Sequence, residues 1–243
     1  MEHKITIISL DKRLSSKKLP AFRGAIATLF PDEDMYHNHN GDSLMYRYPL
    51  IQYKIIDGHI CIVGIDGGAS SIESHFQTGR EFTLAIHGEE TEFTVSEKKT
   101  LYYTPESHDT ADQYYFIRNW LPLNQENFHV YNNLDSISEK TMLLDSILSA
   151  NILSLFRGFG YFSEHKSDAK IVEIVASRPV SYKEHQMLAF DIRFKCNATL
   201  PEFCGIGKGS SRGFGIIYKS AVEVLSYITG GGWKSESSKN KLA

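Results

Sequence analysis

The stretch MYRYPLIQYKIIDGHICIVGI, residues 45–65, reads as two β-strands joined by a tight turn. Residues 45–56 and 59–65 are rich in Ile, Val and Tyr. Asp57-Gly58 between them supplies the left-handed backbone that a two-residue hairpin requires. Pro49 has no amide hydrogen for a ladder, so it marks an edge or a bulge in the first run. Upstream, residues 3–10 (HKITIISL) alternate in the manner of a strand. From Leu19 to Phe30, Pro20 suits a first helical turn, Phe22, Ile26, Leu29 and Phe30 recur at helical spacing, and Pro31 ends the helix. Downstream of Gly67-Gly68, a short helix is expected at 69–78 and a second hairpin at 82–87 and 91–95.

The order strand, helix, strand, strand, helix, strand is that of a ferredoxin-like (RRM-like) βαββαβ unit. The second half repeats it loosely. Residues 136–156 give the clearest helix, with Ile137, Met142, Leu144, Ile147, Leu148, Ile152, Leu153 and Leu155 on a broad apolar face. Residues 170–177 and 187–196 alternate as strands, 213–218 make another, and 219–228 a last helix. The expected fold class is therefore α+β, two ferredoxin-like domains in tandem with a C-terminal glycine-rich loop. The boundaries expected are 1–98 for the first domain, an aromatic, turn-rich crossover at 99–134, and 135–229 for the second. A disordered Gly/Ser/Lys tail at 230–243 completes the chain.

Composition excludes some classes and leaves others open. The chain has 243 residues, enough for two small domains, and no run near the roughly 20 apolar residues of a membrane helix. Its N-terminus does not resemble a signal peptide. Cys61, Cys196 and Cys204 are an odd number at wide spacing, which fits a reduced, cytoplasmic protein and no zinc motif. A net charge of −3 argues against a nucleic-acid binder, but its distribution points the other way. Lys12, Arg13, Lys17, Lys18 and Arg23 precede Phe30 with no acidic residue among them, and Lys208, Arg212 and Lys219 follow Gly205. A fold that joins the two ends makes one basic groove; otherwise these are solvated surface charges.

Residues 205–215, GIGKGSSRGFG, hold five glycines with Lys208, Ser210, Ser211 and Arg212 interleaved. Glycine permits positive φ and close backbone approach, so amides can point at phosphate oxygens, and lysine and arginine add charge and a planar fork. The spacing fails the Walker pattern, since Gly205 and Gly207 precede Lys208 too closely and glycine follows it. The loop lies too late, and runs into a strand rather than a helix, for a dinucleotide-binding turn. A tight hairpin with no ligand is the bland alternative.

The second stretch with chemistry in it is Tyr36-His37-Asn38-His39, on a polar loop after a basic helix. Two histidines one residue apart, flanked by Tyr36, Asn38 and Asn40, suit proton transfer near neutral pH better than core filling. Zinc on His37 and His39 would need more ligands, for which Asp32, Asp34 or Asp42 are at hand, but no zinc motif is formed. Neither a metal nor another cofactor is expected.

The pattern Gly205-Ile206-Gly207 through Gly213-Phe214-Gly215, late in a tandem ferredoxin-like chain, resembles the signature of the RAMP (repeat-associated mysterious protein) superfamily. Phe22-Arg23-Gly24-Ala25-Ile26, Tyr36-His37-Asn38-His39 and the run 46–54 resemble one branch of it, the CRISPR repeat-processing endoribonucleases. That resemblance implies a metal-independent cut of CRISPR precursor RNA within its repeats, leaving a 2′,3′-cyclic phosphate and a 5′-hydroxyl. It implies a catalytic histidine, His39 or His37, with Tyr36 and Lys54 as helpers. Lys54 or Arg47 would stabilise charge on the phosphate. RNA contacts are expected from Gly207, Lys208, Gly209, Ser211 and Arg212 of the loop, and from Lys17, Lys18, Arg23 and Arg47. The alternative from another class is a non-catalytic RNA-binding subunit of a CRISPR effector complex, which would share the glycine loop. Effector-complex subunits and a homodimeric partner stay open; a membrane does not.

Overall fold

The computed structural model describes residues 1–37, 39–40, 43–44 and 48–219, and only the backbone of His37, His39, Asn40, Ser43 and Leu44. Arg47, the helix expected over 219–228 beyond its first residue, and the tail 230–243 lie outside the described residues.

In the first half, β1 (His3–Arg13) leads through a 3-10 turn (Ser16–Lys18) into α1 (Leu19–Leu29) and the one-turn helix α2 (Asp34–His37). The two-residue strands β2 (His39–Asn40) and β3 (Ser43–Leu44) pair with each other. Then come β4 (Ile51–Ile56), β5 (His59–Ile65), α3 (Gly67–His75), β6 (Glu81–Ile86) and β7 (Glu89–Tyr103). One antiparallel sheet runs β4-β5-β1-β7-β6, the ferredoxin-like order with β6 added beyond the fourth strand. The β4–β5 turn falls at Asp57-Gly58, both at positive φ, as the hairpin chemistry requires.

The second half comprises β8 (Glu106–Ser107), β9 (Gln113–Trp120), α4 (Gln125–Asn133), α5 (Ile137–Gly158), β10 (Ala169–Tyr182), β11 (His185–Cys196), β12 (Ala198–Thr199) and β13 (Ile216–Tyr218). Its sheet runs β10-β11-β9-β13, the same order again, with α5 between the first and second strands. Among the described residues no helix lies between β11 and β13; the stretch from Leu200 to Gly215, glycine loop included, takes that place. The stretch 99–134, expected as a crossover, instead supplies the end of β7, all of β9 and α4. Its aromatics are there to be buried: Tyr115, Phe116, Ile117 and Trp120 of β9 fill both sides of a central strand.

Two cores result. Strand β5 serves both, since Ile60 and Ile62 face one and Cys61, Val63 and Ile65 the other. The first is roofed by Leu19, Phe22 and Ile26 of α1 and Ile72 of α3. The second runs from the helix-free face of the first sheet into the second half, joining Ile5, Ile7, Val63 and Tyr103 to Leu148, Ile152, Phe190 and Ile206. Helix α5 opens on a capping box, Ser136 with Glu139, and Asp145 accepts the amide of Ile171 at 2.8 Å, tying the helix to β10.

Because the second core is shared, the halves unfold together. Phe22→Ala and Ile152→Ala each remove a fully buried side chain, at a cost of about 2–5 kcal/mol. Each is expected to shift a single urea transition seen alike by Trp fluorescence and circular dichroism. Two separated transitions would contradict a shared core.

Candidate active site

The glycine-rich loop is built against the free edge of β4. On this strand Ile51 and Tyr53 face the helix-roofed core, and the alternate residues Gln52, Lys54 and Ile56 face the second half. Gln52 and Lys54 are both 0% exposed, so their polar groups must find partners inside. They find the loop. The amide of Gly205 donates to Gln52 Oε1 at 2.8 Å, and Lys54 Nζ donates to the carbonyls of Ser210 at 2.5 Å and Phe214 at 3.3 Å. The amide of Tyr53 donates to the Ser211 carbonyl at 3.2 Å, and the Tyr48 hydroxyl to the Gly205 carbonyl at 2.7 Å. Burial pushes the Lys54 amine down to about 7, a tendency that nearby Cys204 opposes.

This arrangement dictates glycine at two positions in particular. A Cβ at Gly205 would run into Lys54 Nζ. At Gly215, with φ +65°, a Cβ would land on the carbonyl of Ile206. Lys54 draws the Ser210 and Phe214 carbonyls inward, and the amides of Lys208, Gly209, Ser210 and Ser211 meet no acceptor among the described residues. A run of unpaired amides is one way in which a backbone can hold an anion.

The basic residues gather unevenly. Arg212 pairs by a backbone bridge with Tyr53, and Arg23 of α1 lies close by; burial and then the charge of Arg212 lower the Arg23 pKa. Lys208 is exposed, with its ammonium 5.6 Å from the centre of the Tyr182 ring. Lys17 and Lys18 are exposed on the turn before Leu19, and Leu19 packs where a side chain at Gly213 would project. Gly207 and Gly209 are at positive φ, and Ser211 is half-buried.

Helix α2 carries the approach to the histidine pair. Its backbone ends at His37, and His39 pairs with Leu44. The side chains of both histidines lie outside the described residues. Tyr36 does not reach into a site: its ring is 1% exposed and stacked on Phe30 at 4.7 Å, and Ser71 Oγ lies 3.2 Å from its hydroxyl. Burial pushes its phenol up to about 12. The base of α2 is pinned by Glu33, which accepts from Ser71 Oγ at 2.6 Å and pairs with His75. Burial pushes the Glu33 carboxyl up, but the bonds from Ser71 and His75 outweigh it and leave the pKa below its ordinary value.

Between α2, the C-terminal half of α5 and the loop opens a cleft of about 1100 Å³, bordered by Met35, Asn151, Arg157, Tyr182, Lys208 and Ser211. The turn that leads to the histidines and the amide-rich loop therefore share one cavity. Lys54 lies beneath it, shielded by the loop it holds. Sequence reasoning missed Gln52, Asn151, Tyr182 and the Glu33–Ser71–His75 brace. Gln52 had a signal: two polar residues at alternate positions in the apolar run Ile51–Ile56 must be satisfied by something outside the sheet.

Comparison with known proteins identifies the family. The model of the Cas6b N-terminal domain matches residues 1–104, and that of the Cas6b C-terminal domain matches residues 106–220. The chain belongs to the Cas6b family. A crystal structure of Cas6b is similar at 30% identity with a TM-score of 0.79, covering 90% of this chain and 100% of that one. A crystal structure of a CRISPR RNA processing endoribonuclease, Cas6b, is 28% identical with a TM-score of 0.69 over the same shares. An uncharacterized protein of Methanocaldococcus jannaschii is 36% identical over 107 residues, 44% of this chain and 71% of that protein. Membership of the Cas6b family places the chain among the CRISPR endoribonucleases of the RAMP superfamily and sets aside the non-catalytic alternative. The family's tandem ferredoxin-like architecture is the fold described above.

The Lys54 clamp has a pH signature. Between about pH 7 and 9 the unfolded chain keeps a proton on residue 54 that the folded chain has partly released. Wild-type stability therefore rises with pH relative to Lys54→Met, by up to about 1.4 kcal/mol per unit. Urea denaturation of both proteins at several pH values measures this; parallel profiles would contradict a desolvated amine under the loop.

Proposed function

We propose that this endoribonuclease cuts CRISPR precursor RNA within its repeats by general acid–base catalysis from the His37–His39 segment. One histidine takes the proton of the ribose 2′-hydroxyl. The 2′-oxygen then attacks the adjacent phosphorus, and the bond from phosphorus to the 5′-oxygen breaks. The other histidine, or the first in its protonated form, returns a proton to that oxygen. The products are a 2′,3′-cyclic phosphate and a 5′-hydroxyl, and no metal enters the scheme. His39 is assigned the main role, with His37 beside it.

The observation that carries this reading is the shared cleft, lined both by Asp34 and Met35 of the turn that leads to the histidines and by the glycine-rich loop. The phosphate sits at the loop amides from Lys208 to Ser211, where charge grows in the pentacoordinate state. Lys208 and Arg212 add positive charge, with Arg23, Lys17 and Lys18 extending the basic edge along the RNA backbone. Lys54 acts as a positioning residue here, because its ammonium is spent on the Ser210 and Phe214 carbonyls. Tyr36 likewise positions the turn, its hydroxyl being engaged with Ser71.

Purified protein and the host's repeat RNA, incubated in EDTA, test the scheme. Cleavage is expected to survive the chelator and leave a cyclic phosphate. His39→Ala or His37→Ala should lower the single-turnover rate about 10²–10⁴-fold with RNA binding preserved. Loss of activity in EDTA, or wild-type rates in both variants, would contradict it.

A further inference from the structure

One wall of the cleft takes no part in the scheme above. Asn151, half-buried on α5, borders the cleft beside Gly207. The indole of Trp120, 0% exposed, donates its N–H to Asn151 Oδ1 at 3.0 Å. An indole nitrogen can only donate, so this bond fixes which way the amide points. The oxygen is turned to Trp120, and the two N–H groups of Nδ2 meet no acceptor among the described residues. Gly207 locks the pair, because a Cβ there would press on both Asn151 Oδ1 and the Trp120 ring.

The rest of the cleft suits a flat, apolar guest. Leu50, Leu155 and Pro49 line it, and Tyr182 stands at its border with its ring set edge-on to Phe214 at 5.6 Å and Lys208 over it. A nucleobase has the matching chemistry: an aromatic face for Tyr182 and acceptor atoms at its rim for an amide that offers only donors. The volume of about 1100 Å³ leaves space for the attached ribose.

We propose that this cleft is a nucleobase subsite next to the cut, in which Asn151, set by Trp120, reads an acceptor edge and Tyr182 packs on the base. The proposal rests on the RNA-cleaving function above and extends it to sequence selection.

The test is equilibrium binding of the full chain to repeat RNA carrying a 2′-deoxy sugar at the cut nucleotide. Oligonucleotides with a single abasic site moved along the repeat give, for each position, the ratio of intact to abasic affinity. For wild type, one position near the cut should show a ratio of roughly 5- to 20-fold. Asn151→Asp keeps an acceptor for Trp120 but removes the donors, and should bring that ratio to near one while ratios elsewhere stay as they were. Tyr182→Leu, which leaves Trp120 and Asn151 paired, should lower the ratio at the same position, so the test survives a folding defect in the first variant. Ratios unchanged at every position in both variants, with or without a uniform loss of affinity, would overturn the subsite. Wild type that fails to bind repeat RNA at all would instead overturn the RNA-cleaving function on which it rests.

Discussion

The rest of the structure depends on a single buried amine. Lys54 sits on an edge strand, wholly removed from water, and among the described residues its amine donates to two carbonyls of a loop more than 150 residues further along the chain. A buried amine with no partner would cost several kcal/mol. The first half is therefore incomplete until the loop arrives. The loop for its part has few ladder bonds of its own and takes its shape from Gln52, Tyr53, Lys54 and Tyr48. Each half supplies what the other lacks, and the shared apolar core holds them in that register.

Function follows from the direction in which this clamp pulls. With two carbonyls drawn inward, the amides from Lys208 to Ser211 keep no acceptor among the described residues, and preorganised donors of this kind need no rearrangement when charge develops on a phosphate. Positive φ at Gly207, Gly209, Gly213 and Gly215 is what lets the chain alternate so sharply. Across the cleft, Glu33 braces the start of the turn that leads to the histidines by bonds to Ser71 and His75 of a neighbouring helix, a support separate from the one that holds the loop.

Much of the fold was legible because its signals are local. Asp57-Gly58 announced a hairpin, the spacing from Leu19 to Phe30 a helix, and the run from Ile137 a long one. The stretch 99–134 was not, because a strand buried on both faces loses alternation and Tyr115-Phe116-Ile117 reads as an aromatic loop. The glycine loop stood out in the sequence since five glycines in eleven residues have no use in a core. The work of Lys54 did not, because a lysine's burial and its partners 156 and 160 residues away are set by tertiary packing alone. Tyr36 carried the opposite lesson: an aromatic beside two histidines looked chemical and proved to be a packing residue.

The most direct test of this picture is a crystal structure of the full chain bound to repeat RNA that is blocked by a 2′-deoxy sugar at the cut nucleotide. Expected is a scissile phosphate within about 3 Å of both a loop amide between Lys208 and Ser211 and an imidazole of His37 or His39. A phosphate held by the loop with both histidines remote, or an RNA path that avoids the cleft, would contradict a single site built by the Lys54 clamp.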